Sequence, residues 1–192
     1  MTKLQTGFWH FLWAALAKQG QTGSIIPSQR FLVEKMIAPV PRDFAGQVVE
    51  LGPGSGPLTV RLAARCPRAR ILACEVNPML ARVCQENLSA AGLEKRVELV
   101  LDSAENVLSR MSEHLSSRPE FIVSGIPLGN LKRQETMALI DKIAEALAPR
   151  GMFIQFQYSL IDRKTIRARF PSLRTVPAFL NFPPAFVYYA RK

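Results

Sequence analysis

The sequence predicts an α/β fold: a seven-stranded, mostly parallel sheet with helices on both faces and an antiparallel last strand. Three observations carry this. From Gln47 onward short apolar runs alternate with stretches of helical period, the signature of a parallel sheet wrapped on both sides. The first strand runs directly into a glycine loop, VVELGPGSG at residues 48–56. The last two strand-like runs are separated only by LNFP, too short for a helix, so that pair must be antiparallel.

The opening segment lies outside this pattern. In GFWHFLWAALAKQG, residues 7–20, two tryptophans and two phenylalanines fall within six positions. A span of the hydrocarbon needs about 20 apolar residues; the run from Phe8 to Ala17 is shorter and carries His10, so it cannot cross. A secretory signal is also disfavoured, because Lys18-Gln19-Gly20 stands where a small-residue cleavage site belongs. Placed on a helix, Phe8, Leu12, Leu16, Trp9, Trp13, Phe11 and Ala15 fill one broad arc, opposite His10, Ala14 and Ala17. Two readings stay open here: a helix packed on the protein's own core, or one resting at a lipid interface, where Trp and Phe belong.

In TGSIIPSQR, residues 22–30, Gly23 and Pro27 interrupt any helix and Ser28 is placed to cap a new one, which continues through Phe31, Leu32, Lys35 and Met36 until Pro39 and Pro41 end it. Strands are expected at 47–51, 70–75, 96–101, 120–124, 151–157, 173–179 and 184–190, with helices near 56–65, 78–91, 104–115, 131–148 and 160–169. This divides the chain into an N-terminal segment, 1–45, and a core domain, 46–192.

Composition narrows the function classes. A net charge of +10, from 25 basic and 15 acidic residues, implies an anionic partner, either nucleic acid or an acidic lipid surface. Cys66, Cys74 and Cys84 are odd in number and form no C-x-x-C pair, which reads as reduced, cytosolic and mostly buried thiols. With two histidines and no ligand spacing, no metal site is expected.

The glycine loop carries the chemistry. Gly52, Gly54 and Gly56 let the backbone turn sharply and approach a ligand. Their pattern, E-x-G-x-G-x-G with Glu50 inside the strand, is neither the dinucleotide G-x-G-x-x-G nor a phosphate loop with its Lys. Glu75 closes the second strand, where a carboxylate can accept from both hydroxyls of a ribose or simply cap the strand end, and Asp102 follows the third, where it can meet an adenine amino group or cap the next helix near Glu105. Together these describe an adenosyl ligand without phosphates. Glycine loop, Glu75, Asp102, a special turn after the fourth strand and a terminal antiparallel pair, in that order, resemble the class I S-adenosylmethionine-dependent methyltransferases over Val48 to Lys192. The resemblance implies a Rossmann-like seven-stranded sheet, S-adenosyl-L-methionine as cofactor, S-adenosyl-L-homocysteine as product, and cofactor contacts from Glu50, Gly52, Pro53, Gly54, Ser55, Gly56, Glu75, Val76, Asp102, Ser103 and Ser124.

The turn after the fourth strand reads SGIPLGN, residues 124–130. Enzymes that methylate adenine usually place an aromatic ring after the proline of this turn to stack on the extruded base; here Pro127 is followed by Leu128. The chain stops at Lys192, directly after the last strand, without the helical domain by which rRNA adenine dimethylases grip RNA. Both features favour an aliphatic or lipid amine over nucleic acid. An aromatic amphipathic helix, then TGSIIPS, then this core is similar to the bacterial phospholipid N-methyltransferases, from about Phe8 to Lys192. That similarity implies conversion of phosphatidylethanolamine towards phosphatidylcholine by a protein held peripherally on the inner face of the membrane. It also implies that the N-terminal helix covers the cofactor, with Gly23, Pro27 and Ser28 on the cofactor side, and that Gly125, Ile126, Pro127 and Leu128 face the substrate.

Membrane contact is expected from Phe8, Trp9, Leu12 and Trp13 and from a basic stretch, IDRKTIRARFPSLR at 161–174, through Arg163, Lys164 and Arg167, with a solvated helix face or an RNA-binding patch as the other readings of that stretch; each basic residue near an anionic leaflet adds about 1 kcal/mol of attraction. Methyl transfer is an in-line displacement in which the protein mainly positions the partners and excludes water. An ammonium headgroup, with a pKa near the value of about 10 for Lys, must first lose a proton. Asn130 and Tyr158, with Ser124 behind them, are the candidates for orienting the amine. His10 is either a base brought by the N-terminal helix or merely solvated, and the backbone carbonyls of Gly125 and Ile126 are an alternative that needs no side chain. Two further readings stand beside lipid methylation: an rRNA or DNA adenine N-methyltransferase, and a non-catalytic cofactor-binding module at membranes. Ornithine lipids and other small amines remain acceptors under the first.

Overall fold

The computed structural model describes residues 27–113, 118–181 and 183–192. The expected N-terminal aromatic helix, with Phe8, Trp9, Leu12, Trp13 and His10, lies outside the described residues, as does Gly23.

Helix α1 spans Pro27–Ile37 and is followed by strand β1, Gln47–Leu51. Then α2 (Pro57–Arg65), β2 (Arg70–Glu75), α3 (Pro78–Ala90), β3 (Val97–Leu101) and α4 (Ala104–Glu113) alternate. After β4 (Phe121–Ser124) come a 3-10 turn (Leu128–Asn130), α5 (Arg133–Ala146), β5 (Met152–Gln157), α6 (Arg163–Arg169) and the final pair β6 (Ser172–Ala178) and β7 (Ala185–Arg191). The expected strands are all present to within a residue at each end. The helix expected from 131 begins at Arg133 because the chain first makes the 3-10 turn. One boundary is corrected: α1 starts at Pro27, so Ser28 is inside the helix and not its cap. Proline fits a first helical position, where its missing N–H costs nothing.

All seven strands form one sheet in the order β3-β2-β1-β4-β5-β7-β6. β1 pairs in parallel with β2 and β4, β2 with β3, and β4 with β5, whereas β7 lies antiparallel between β5 and β6. The order reverses direction at β1 and β4, so the loops leaving their carboxyl ends diverge and open a crevice there.

Strand side chains alternate between the two faces, and the apolar ones are sorted accordingly. Val48, Ile71, Ala73, Val123, Ile154 and Val187 meet α1, α2 and α3 on one face. Val49, Leu51, Ile122, Phe153 and Tyr188 meet α4, α5 and α6 on the other. Phe153 and Phe170 stack with ring centroids 5.7 Å apart. Helix α1 is part of the first core through Leu32, Val33, Met36 and Ile37, and the Tyr189 hydroxyl donates to the Lys35 carbonyl at 2.6 Å. The three cysteines are free and buried. No helix among the described residues is long and apolar enough to cross a membrane.

Candidate active site

A cavity of 370 Å³ opens over the carboxyl edge at the β1–β4 divergence, lined by the glycine loop, the ends of β2 and β3, the turn after β4, the end of β5 and one face of α1. Its polar wall comes from β1 to β3. Gly54 has φ 61°, a left-handed conformation natural to glycine, and its amide donates to Glu75 Oε2 at 3.0 Å. The other oxygen, Oε1, accepts from the Asn77 amide at 2.9 Å. Glu75 therefore ties the glycine loop to the start of α3, and each carboxylate oxygen keeps a lone pair for a ligand donor. Asn77 in turn caps α3, its Oδ1 accepting from the Met79 and Leu80 amides.

Glu50 is buried on the cavity wall. Burial pushes its carboxyl up to about 8, against the Thr59 hydroxyl, which lowers it. Its Oε2 has no hydrogen-bond partner among the described residues, a buried polar atom left open to a ligand. Asp102 differs. Its Oδ1 accepts from the Ser103 amide at 2.7 Å and from Asn106 Nδ2 at 2.8 Å, and its Oδ2 pairs with Arg110 at 2.7 Å. Asn106 first, then Arg110 and Ser103, hold this half-buried carboxyl below its usual range. It sits on the cavity rim as a fixed anion.

The opposite wall is apolar: Leu32, Val33 and Met36 from α1, then Ile126, Leu131 and Phe156. Here the two loops touch. A Cβ on Gly125 would stand 2.5 Å from the Gly52 carbonyl oxygen, so only glycine admits this approach. Phe156 and Tyr158 meet edge to face, centroids 5.6 Å apart. Tyr158 lines the cavity; burial raises its phenol, and a hydrogen bond with Asn181 opposes the shift.

The structure gathers most of the expected residues. Gly52, Pro53, Gly54, Ser55, Glu50, Glu75, Val76, Asp102, Ser103, Gly125, Ile126, Pro127 and Tyr158 all line the cavity. Four do not. Leu128 is buried in the second core, because the 3-10 turn aims it beneath the sheet edge. Asn130 is exposed on that turn, away from the cavity. Ser124 is fully buried, and its Oγ accepts from the Ile126 amide at 3.2 Å, so it braces the turn. Gly56 packs helix on helix: a Cβ there would meet Cys84 Sγ at 2.7 Å. Pro27 and Ser28 begin α1, whose next turns reach the cavity through Leu32, Val33 and Met36.

Sequence reasoning missed Gln155. Buried in β5, its Nε2 donates to the Ile126 carbonyl at 3.0 Å and the Phe156 carbonyl at 2.7 Å. The Ile126 carbonyl, a candidate for holding the amine, is thus already engaged. A polar side chain in the middle of the apolar run MFIQFQ was the available signal. The α1 face was legible in part, from the helical spacing of Leu32 and Met36.

Residues 48–151 match the family described as a methyltransferase domain. The ornithine lipid N-methyltransferase of Singulisphaera acidiphila is 27% identical over 170 residues, 88% of this chain and 87% of that protein. A tRNA1(Val) (adenine(37)-N6)-methyltransferase of Shewanella amazonensis is 34% identical over 86 residues, covering 43% of this chain and 36% of its own length. Among solved structures, an RNA methyltransferase from Salinibacter ruber in complex with S-adenosyl-L-homocysteine shares the fold at TM-score 0.60 and 20% identity, over 88% of this chain and 93% of that one. A precorrin-6y C5,15-methyltransferase from Geobacter metallireducens does so at TM-score 0.68 and 15% identity, over 84% and 88%. With three acidic side chains along the β1–β3 edge, the buried one keeping an oxygen that no described residue partners, and a loop that only glycine can form, the residues present fit an adenosyl amino acid: this chain belongs to the methyltransferase-domain family and is an S-adenosylmethionine-dependent methyltransferase.

Proposed function

We propose that the protein methylates the amine of a lipid headgroup, phosphatidylethanolamine towards phosphatidylcholine or the amine of an ornithine lipid, at an anionic membrane surface. The observation that carries this reading is the apolar wall of the cavity. Leu32, Val33, Met36, Ile126, Leu131 and Phe156 face the carboxylate wall and offer an aliphatic acceptor a dry approach, and the turn after β4 carries no aromatic residue. The similarity to an ornithine lipid N-methyltransferase along most of both chains supports the same class of acceptor.

The cofactor supplies an electrophilic methyl carbon; the rest falls to the chain. Glu75 and Asp102 would hold the adenosine, and Glu50 offers its orphaned oxygen to a donor of the amino-acid part. Helix α1 closes the cavity with apolar side chains, which excludes water and strengthens the electrostatics inside. Tyr158 is oriented by Asn181, so its ring and hydroxyl bound the acceptor side with little freedom. Gln155 fixes the Ile126 carbonyl and thereby the shape of the turn. The ammonium proton leaves to solvent at the mouth; Tyr158, whose phenol burial keeps protonated, positions the amine and does not take the proton.

A second reading has its own observation. The edge-to-face Phe156–Tyr158 pair presents aromatic surface on which a flipped adenine would stack, and tRNA adenine methyltransferases are among the relatives. A single experiment separates the two. With methyl-labelled S-adenosylmethionine, label is expected in the lipid extract from vesicles containing phosphatidylethanolamine or ornithine lipid. Label in added tRNA or DNA, with none in lipid, would reject the lipid reading, and cofactor binding without transfer to any amine would leave a non-catalytic module.

A further inference from the structure

We infer that the β6–β7 turn and the β5–α6 loop form a membrane-docking patch of their own, in which Phe179, Leu180, Leu160 and Ile161 enter an anionic bilayer surface while Arg163 and Lys164 lie on its phosphates. The purpose assigned to the patch rests on the lipid reading above.

The sheet brings the two loops together. Gln157 at the end of β5 and Pro177 near the end of β6 both pair with Phe186 of β7, so Leu160–Ile161 and Phe179–Leu180 leave the same carboxyl edge two strand spacings apart. Leu160 is 47% exposed, Ile161 77%, Phe179 71% and Leu180 67%. These are large apolar side chains standing in water on a fixed base. Asn181, buried immediately after them, donates from Nδ2 to the Pro183 carbonyl at 2.7 Å and from its amide to the Ala178 carbonyl at 3.2 Å. The Tyr188 hydroxyl donates to the Ser159 carbonyl at 3.2 Å. The Asn181–Tyr158 hydrogen bond joins the base of the turn to the cavity wall, so whatever seats the turn also orients the mouth of the site.

Charge selects the occupant. From Tyr158 to Pro184 there are five basic residues and one acidic, Asp162, which is itself buried. Only Ile166 of α6 is buried, leaving Arg163, Lys164 and Arg167 exposed, and none of the three makes an ion pair among the described residues. Apolar tips ringed by unpaired cations match the boundary of an anionic leaflet, where acyl chains lie below phosphates. Val76 and Met79 are as exposed on the far side of the mouth, but they stand with Glu75, Asp102 and Glu105, which such a surface repels.

The test uses the full chain with its N-terminal segment intact. Phe179→Ser with Leu180→Ser is expected to weaken sedimentation with phosphatidylglycerol-containing vesicles about tenfold or more while leaving the melting temperature unchanged; an unaltered affinity overturns the inference. Because Cys66, Cys74 and Cys84 are buried, Leu180→Cys takes a single environment-sensitive fluorophore. Its emission should shift to the blue on anionic vesicles and not on zwitterionic ones, and an unshifted emission on bound protein overturns the patch. Self-association that disappears in the serine variant while vesicle affinity persists would assign the patch to a second copy and also overturn it. Methyl transfer to phosphatidylethanolamine in detergent micelles, measured in parallel, reports on the function separately: docking can hold where no lipid is methylated, and transfer in micelles can hold where docking fails.

Discussion

The carboxyl edge of the sheet is built in two contrasting halves. Over β1, β2 and β3 each strand ends in or beside an acid, Glu50, Glu75 and Asp102; Glu75 is held by the amides of the glycine loop and of Asn77, Asp102 by Ser103 and Asn106 beside it, and Glu50 is buried on the wall. Over β4, β5, β7 and β6 the edge is apolar and basic, and its contacts join residues far apart in sequence, such as Gln155 with Ile126 and Tyr158 with Asn181. The difference teaches that polar recognition of a nucleoside is achieved by short loops at successive strand ends, whereas an acceptor side must be assembled from several elements whose relative placement only the folded sheet provides.

The strongest way to break this contrast is Glu75→Ala. It removes an anion that accepts two backbone N–H bonds, each worth about 1.5–3 kcal/mol for a charged acceptor. Cofactor affinity by calorimetry should fall about a hundredfold or more while vesicle binding is unchanged; an unaltered cofactor affinity would refute the division of labour between the halves.

Glu50 gives a second test, read in the ligand-free protein. Its folded pKa, about 8, lies above the ordinary 4.5. Between those values the folded state therefore binds the extra proton and stability declines as pH rises through the window, by a few kcal/mol at the order of magnitude that such a shift implies. Glu50→Gln should flatten the dependence of melting temperature on pH from 5 to 8, and an identical slope in the variant would show that another group is responsible.

On the apolar side, Tyr158→Phe removes a hydroxyl bonded to Asn181. A net hydrogen bond is worth about 1 kcal/mol, so transfer should slow by about fivefold to tenfold with cofactor affinity preserved. Loss of cofactor binding instead would place Tyr158 on the wrong half. The smallest effect is expected from Lys164→Ala alone: at about 1 kcal/mol per charge near an anionic surface, vesicle affinity should drop roughly fivefold at low salt, and the difference should shrink as salt is raised. Equal affinity at low salt would remove α6 from the membrane face.

Legibility in the sequence follows the same division. The β1–β3 half could be read almost residue by residue, because glycine spacing and a strand-terminal acid are local features whose positions a parallel sheet then dictates. The turn SGIPLGN misled in detail: Leu128 turns into the core and Asn130 out to solvent, since a 3-10 turn rotates successive side chains by about a third of a turn and no sequence period announces it. Gln155 was invisible as a site residue because its role depends on β5 lying beside β4.

From the chain alone came the α/β alternation, the antiparallel ending, the adenosyl-type carboxylates and the excess of positive charge, all of which depend on residues near one another in sequence. What the tertiary structure decided was which of those residues face a common cavity, that α1 supplies its apolar wall, and that Leu160, Ile161, Phe179 and Leu180 share one edge. Insertion of β7 between β5 and β6 brings about the last of these, and strand order is settled by long-range pairing and burial, which local propensity does not encode.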